Sequence, residues 1–191
     1  MAKDLRQEIN NLLSEMPAEE VKTTILPILD KMSGYGVGKL MDEVPGLFFL
    51  MMDKMDEIGV WGFGSKAAEI VDKFMNLLWE GVSIAAERSE DSKALLKNIG
   101  ELTVNLEATD IPLKTHFKVS QGKFSSGPGL VGFKEQDVRL MASTRKFFDL
   151  LRGNVEVVTS VLTEQLFLEG PLGFLQKKVV PAMALIGSVI A

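Results

Sequence analysis

Close to Gly100 the apolar residues change their spacing. Before that point Ala67, Val71, Phe74, Leu78, Val82 and Ala85 recur every three or four positions. After it Leu102, Val104, Leu106 and Ala108 alternate with Thr103, Asn105 and Glu107. The first spacing lines one side of a helix and the second one face of a strand. Helices grouped in front of strands point to an α+β fold, with an all-helical N-terminal region over 1–99 and a sheet-bearing region over 100–191.

The front region divides at its prolines and glycines. A helix is expected over residues 4–15 on Leu5, Ile9, Leu12 and Leu13. A second opens at Pro17, carries Val21, Ile25, Ile28, Leu29 and Met32, and contains Pro27 as a kink. Gly34, Gly36 and Gly38 predict a flexible loop, and Pro45 to Ile58 a further helix. Beyond Gly59, Gly62 and Gly64 comes the strongest helix, from Ser65; a short one follows Ser89 to Asp91 and ends at Gly100. Behind Gly100, Leu113 to Val119 and Lys123 to Ser125 should form a hairpin through Gln121-Gly122. Asp137 to Ala142 reads as a strand, Thr144 to Leu151 as a helix stopped by Gly153, and Val155 to Leu162 as helical. Gln165 to Leu168 is strand-like, and Pro171 to Ala191 is an apolar helix with Pro181 as a kink.

Composition removes several chemistries. With no cysteine, there is no thiolate catalysis, iron–sulfur cluster or structural zinc site to expect, and a reducing cytoplasm fits. No apolar signal core opens the chain, and the longest apolar stretch, Val179 to Ala191, is too short to cross a bilayer, so a soluble cytoplasmic protein is expected. The first hundred residues carry 17 acidic against 11 basic side chains, which disfavours a nucleic-acid partner. The single histidine, His116, reads as a polar-face strand residue, so no metal is expected. Gly34-x-Gly36-x-Gly38-Lys39 fails as a phosphate loop, because Ser33 and Leu40 stand where a glycine and a hydroxyl residue are needed. No Gly-x-Ser-x-Gly elbow is present, so neither catalytic residues nor a cofactor are expected and the chain does not read as an enzyme. Met41, Met51, Met52, Met55 and Met75 cluster, either as core filler or as walls adaptable to a ligand. The apolar surplus behind Gly100 is likewise either a filled core or the lining of a cavity; periodicity does not separate the two.

Several short segments carry a resemblance. They are the hairpin at Gln121-Gly122, the strand Asp137-Val138-Arg139-Leu140, the helix Phe147-Phe148-Asp149-Leu150-Leu151-Arg152-Gly153, and Glu164 to Gly170 followed by an apolar helix. In their order and spacing, residues 100–191 resemble the sterol carrier protein family of nonspecific lipid-transfer type. The resemblance implies a five-stranded mixed sheet covered by helices, with a hydrophobic tunnel beneath the C-terminal helix. The tunnel would be lined by Leu113, Phe117, Val119, Phe124 and Leu140 from the sheet, and closed by Phe147, Leu151, Phe167, Phe174, Val179 and Met183. No catalytic residue is implied. Pro181 in the last helix and the long helical region in front depart from the pattern. The expectation is a carrier that encloses a lipid or other long apolar molecule, with transient contact at a membrane surface. The alternative is an interaction or dimerisation module, accessory to an enzyme of lipid metabolism, forming a homodimer through the stripe from Ala67 to Ala85.

Overall fold

A computed structural model describes residues 2–153 and 155–190; Ala191, the last residue of the expected C-terminal helix, lies outside them. The chain forms two compact units that divide within one helix, between Gly81 and Val82, with Ile190 at the end of the last helix grouped with the first. That division lies ahead of the change of period at Gly100. The helix ending at Gly100 groups with the sheet because it packs over two of its strands.

The first unit is helical: α1 (Ala2–Ser14), α2 (Ala18–Tyr35), α3 (Val37–Glu43), α4 (Leu47–Glu57), a short 3-10 turn at Val60–Gly62, and the first part of α5 (Ser65–Arg88). Ile9, Leu12, Val21, Ile25, Phe48 and Phe74 are buried together with Met51, Met52, Met55 and Met75, so most of the methionine cluster is core. Lys31 joins Glu8 at 2.6 Å and Lys73 joins Asp30. The loop expected at Gly34 to Gly38 is corrected: α2 and α3 are separated by a single residue. Gly36 adopts φ 101° and its amide donates to the Met32 carbonyl at 3.2 Å. Only glycine adopts such a φ without strain, which lets the chain turn in one step.

Phe74 and Leu78, the centre of the apolar stripe on α5, are fully buried, and Phe74 meets Phe48 edge-on with ring centroids 6.2 Å apart. The stripe is thus covered by the chain itself. Its close packing explains Gly81, a residue unfavourable inside a helix. A Cβ there would lie 2.5 and 2.7 Å from two ring carbons of Phe48, which is itself 2 % exposed. Gly81→Ala gains about 1 kcal/mol of helix propensity, while forcing a buried ring aside costs about 1–3 kcal/mol. Urea unfolding should show a net loss of stability; a raised midpoint would mean the ring has room to move.

The second unit holds the end of α5, then α6 (Glu90–Ile99), β1 (Leu102–Ala108), β2 (Lys114–Ser120), β3 (Lys123–Pro128), β4 (Val138–Ala142), α7 (Thr144–Leu151), α8 (Val157–Leu162) and β5 (Phe167–Glu169). A final rod joins α9 (Leu172–Phe174), a π-helical turn (Leu175–Val179) and α10 (Val180–Ile190). The strands make a five-stranded sheet in the order β3-β2-β1-β4-β5, parallel only between β1 and β4. This is the mixed sheet and α+β architecture expected. Ser89 caps α6 by accepting from the Ser92 amide, and Ser143 caps α7 by accepting from the Lys146 amide.

Alternation along the strands sets two faces. Register places Leu102 beside Val119, Val104 beside Phe117, and Leu106 beside Leu140 on the inner face. There α6 packs over β2 and β3, and the π turn over β1, with Leu175 and Val179 fully buried. The outer face is polar and tied down. The Asn105 side chain donates to the Val131 carbonyl at 3.0 Å and accepts from the Val131 amide at 2.9 Å, standing in for a neighbouring strand. His116, half-buried on this face, hydrogen-bonds through Nδ1 to the Gly129 carbonyl at 3.0 Å.

The apolar run from Val179 is extended at its front by further helix. The helical rod passes through Lys177, Lys178 and Pro181 unbroken, so Leu172–Val189 is long and apolar enough to cross a membrane, with mean hydropathy 1.2. Only 33 % of that span is buried in the protein. Proline lacks the amide that would continue the regular ladder, and the wider π turn directly before it lets the helix go on.

Candidate functional site

Among the described residues, two concavities of the second unit stand out. The larger, about 520 Å³, runs between the α7–α8 corner and α10. One wall comes from Leu150, Leu151, Arg152, Gly153, Val155, Glu156, Val157 and Val158; the other from Val180, Met183, Ala184 and Gly187. The second wall follows the spacing of one helical face. Gly187 has no side chain to hold the helix off, and a Cβ there would come within 3.4 Å of the Leu151 carbonyl. At the corner Gly153 takes φ 73°, which ends α7 and turns the chain toward α8. The volume falls within the range of about 300–1,000 Å³ usual for small-molecule sites.

Two of the residues lining this otherwise apolar groove are charged. Glu156 is exposed and accepts from Thr159 Oγ1 at 3.2 Å. The Arg152 side chain is only 4 % exposed, with Nη1 3.9 Å from Asp149 Oδ1.

The smaller cleft, about 230 Å³, lies against the β2–β3 hairpin, lined by Ala86, Glu87, Lys93, Leu96, Lys97, Gln121, Gly122, Lys123 and Phe124.

The residues expected to line a tunnel are distributed unevenly over this geometry. Leu151 and Met183 line the larger groove, and Phe124 the smaller cleft. Leu113, Phe117, Val119 and Leu140 are buried on the inner sheet face and line neither of these two concavities; Phe117 stacks on Phe124 with centroids 5.6 Å apart. Phe147 and Val179 are buried, and Phe174 is half-buried beneath the Lys178 ammonium, 5.0 Å from its ring. Phe167 pairs with Met141 on the opposite sheet face and is 57 % exposed, so it is not brought to the others. The groove also draws on Val155, Val157, Val158, Val180, Ala184 and Gly187, which were not among the expected lining residues. Positions 180, 183, 184 and 187 carried a helical spacing, but that helix is apolar on every side, so no face stood out.

On the outer sheet face Arg139 joins Glu107 (3.0 Å through Nε) and Glu169 (3.3 Å), while Lys114 reaches Glu107 at 3.1 Å. The Arg139 hydrogen bond, opposed by burial and helped by Lys114, holds Glu107 below the usual carboxylate range. A carboxylate whose folded pKa is depressed adds stability above its ordinary pKa of about 4.3, and loses it as pH falls through the lower folded value. Glu107→Gln should therefore unfold more easily than wild type at pH 7, with the difference shrinking towards about pH 3. Urea titrations at both pH values check this, and a pH-independent difference would contradict it. Among the described residues, no group of three His, Cys, Asp or Glu is placed to hold a metal ion.

Comparison with known proteins adds the family. Solved structures with a similar course include a UbiJ-SCP2 ubiquinone synthesis protein, 13 % identical over 66 % of this chain and 93 % of that one, with a TM-score of 0.44. A sterol carrier protein 2 is 14 % identical, covering 59 % and 93 %, with a TM-score of 0.46. The apo sterol carrier protein 2 of Yarrowia lipolytica is 16 % identical, covering 68 % and 94 %, with a TM-score of 0.42. No curated protein matches the chain. The family model described as the SCP-2 sterol transfer family matches residues 83–179, from the end of α5 through the sheet to the π turn, and the chain belongs to that family.

Proposed function

We propose that this protein is a soluble, cytoplasmic, non-catalytic carrier of a lipid or similar long apolar molecule, whose chain lies in the groove between the α7–α8 corner and α10. The observation that carries this reading is the groove itself: about 520 Å³ walled mainly by valine, leucine, methionine, alanine and glycine. Membership of the SCP-2 sterol transfer family supports it. A ligand here lies along the last helix, in place of a tunnel through the packed sheet face. Burying an acyl or isoprenoid chain stabilises the complex by about 0.8 kcal/mol per methylene, with no need for many polar contacts. Loading requires contact with a membrane surface, for which Leu172 (47 % exposed) and the nearby Lys177 and Lys178 supply apolar and cationic groups.

The test is extraction and mass spectrometry of lipids from the purified protein, together with displacement of a bound fluorescent fatty acid. Co-purified lipid or saturable displacement supports the carrier reading. Absence of both rejects it.

A further inference from the structure

We propose that the protein loads from an electrically neutral bilayer surface, and that Leu162, Phe167 and Leu172 hold it there by inserting among the lipids. This rests on the groove being the lipid site and names the partner that fills it. Of the six large hydrophobic side chains exposed among the described residues, these three fall within one stretch of eleven residues. Leu162, 72 % exposed, ends α8, whose Val157 and Val158 line the groove. Leu172 opens the rod that lines it from the other side. Phe167 stands between them on β5, the edge strand of the sheet. Five positions separate each from the next, so their Cα atoms lie at most about 18 Å apart in turn.

Single exposed apolar side chains are ordinary on a protein surface, whereas a group of them marks an interaction site. The rod extends the group. Leu172–Val189 has mean hydropathy 1.2 yet is only 33 % buried, with Val180, Pro181 and Ala184 half-exposed or exposed along it. A groove at such a surface takes up an apolar chain without passing it through water when the surface rests on a bilayer. Charge decides which bilayer. Residues 155–180 carry Lys177 and Lys178 against Glu156, Glu164 and Glu169, a net of −1, and Lys146, which bonds to Gln165, makes the count even. The Lys178 ammonium is held by the Glu101 carbonyl at 2.6 Å. Anionic membranes are recognised by clusters of about four to eight basic residues. This segment offers too few, so burial of apolar area carries the docking.

The experiment is flotation with vesicles up to about 1 mM lipid, which detects binding as weak as that of one myristoyl chain. Phosphatidylcholine vesicles are compared with an equal mixture of phosphatidylcholine and phosphatidylglycerol, at about 0.1 M and about 1 M salt. Displacement of a fluorescent fatty acid is measured on the same proteins. The wild type should bind both kinds of vesicle within about threefold at both salt levels. Leu162→Gln combined with Phe167→Thr keeps a helix former and a strand former in place. This double variant should bind vesicles at least about tenfold more weakly. It should still bind fatty acid as the wild type does, since neither residue lines the groove. Binding confined to the anionic vesicles, or lost at high salt, overturns the inference. So does a wild-type dimer that the double variant separates in sedimentation, because a second copy then covers these residues. Displacement without vesicle binding overturns the inference and leaves the carrier reading standing. Absence of both displacement and co-purified lipid overturns the two together. The wild-type comparison of vesicles and salt needs no substitution, so it decides even where a variant fails to fold.

Discussion

Gly187→Phe should abolish most lipid binding while leaving the protein folded. The site lines the groove from the α10 side, and the nearest atom to an added Cβ is the Leu151 carbonyl oxygen at an ordinary 3.4 Å, so the first carbon is tolerated. The ring then occupies part of the 520 Å³ volume. Excluding about three methylenes of ligand at about 0.8 kcal/mol each removes roughly 2 kcal/mol, about thirtyfold in Kd. Displacement of a fluorescent fatty acid measures the loss, and a thermal melt within a few degrees of wild type shows that the fold is intact. Unchanged affinity in a folded variant would place the apolar chain elsewhere and remove the groove from the account.

Phe117→Ala carries the largest expected cost in stability, about 3–5 kcal/mol. Phe117 is fully buried on the inner face of β2, stacked on Phe124 and paired across the sheet with Val104. Truncation leaves a void among side chains that have no slack to fill it. The measurement also separates two views of this face. A ring that lined an open channel would cost little on removal and would change which ligands fit. A packed ring costs stability and leaves groove binding unaltered in whatever fraction stays folded. Urea unfolding with an unchanged m value and a large fall in midpoint is the expected outcome; a fall below about 1 kcal/mol would favour a channel along the sheet.

The strands were readable because one apolar face imposes alternation, and Leu102 to Ala108 alternates apolar and polar residues throughout, even though Asn105 on the other face is buried too. Ser89 and Gly100 marked both ends of α6 for equally local reasons. What escaped depended on geometry that spacing does not encode. Gly34, Gly36 and Gly38 look like a loop, yet one unusual backbone conformation at Gly36 does all the turning. The inner sheet face was read as apolar and is buried, Phe117, Val119 and Leu140 with it, but apolar residues that touch one another have the same sequence pattern as those that surround a space. The groove draws on Val155 to Val158, a β-branched run with no clear period, and on an end helix whose uniform hydrophobicity hides its faces. Arg152 was legible as a residue but not as a buried one.

The π turn at Leu175–Val179 has a consequence for angular phase. A residue inserted into an α-helix rotates everything after it by about 100° around the axis. Leu175 and Val179 are buried, with the π turn packed on both β1 and α8, while Val180, Met183, Ala184 and Gly187, the next few positions along, line the groove at the α7–α8 corner. One rod thereby serves both the sheet and the α7–α8 corner. The family match stops at Val179, so the α10 side of the groove is made by residues past the matched region.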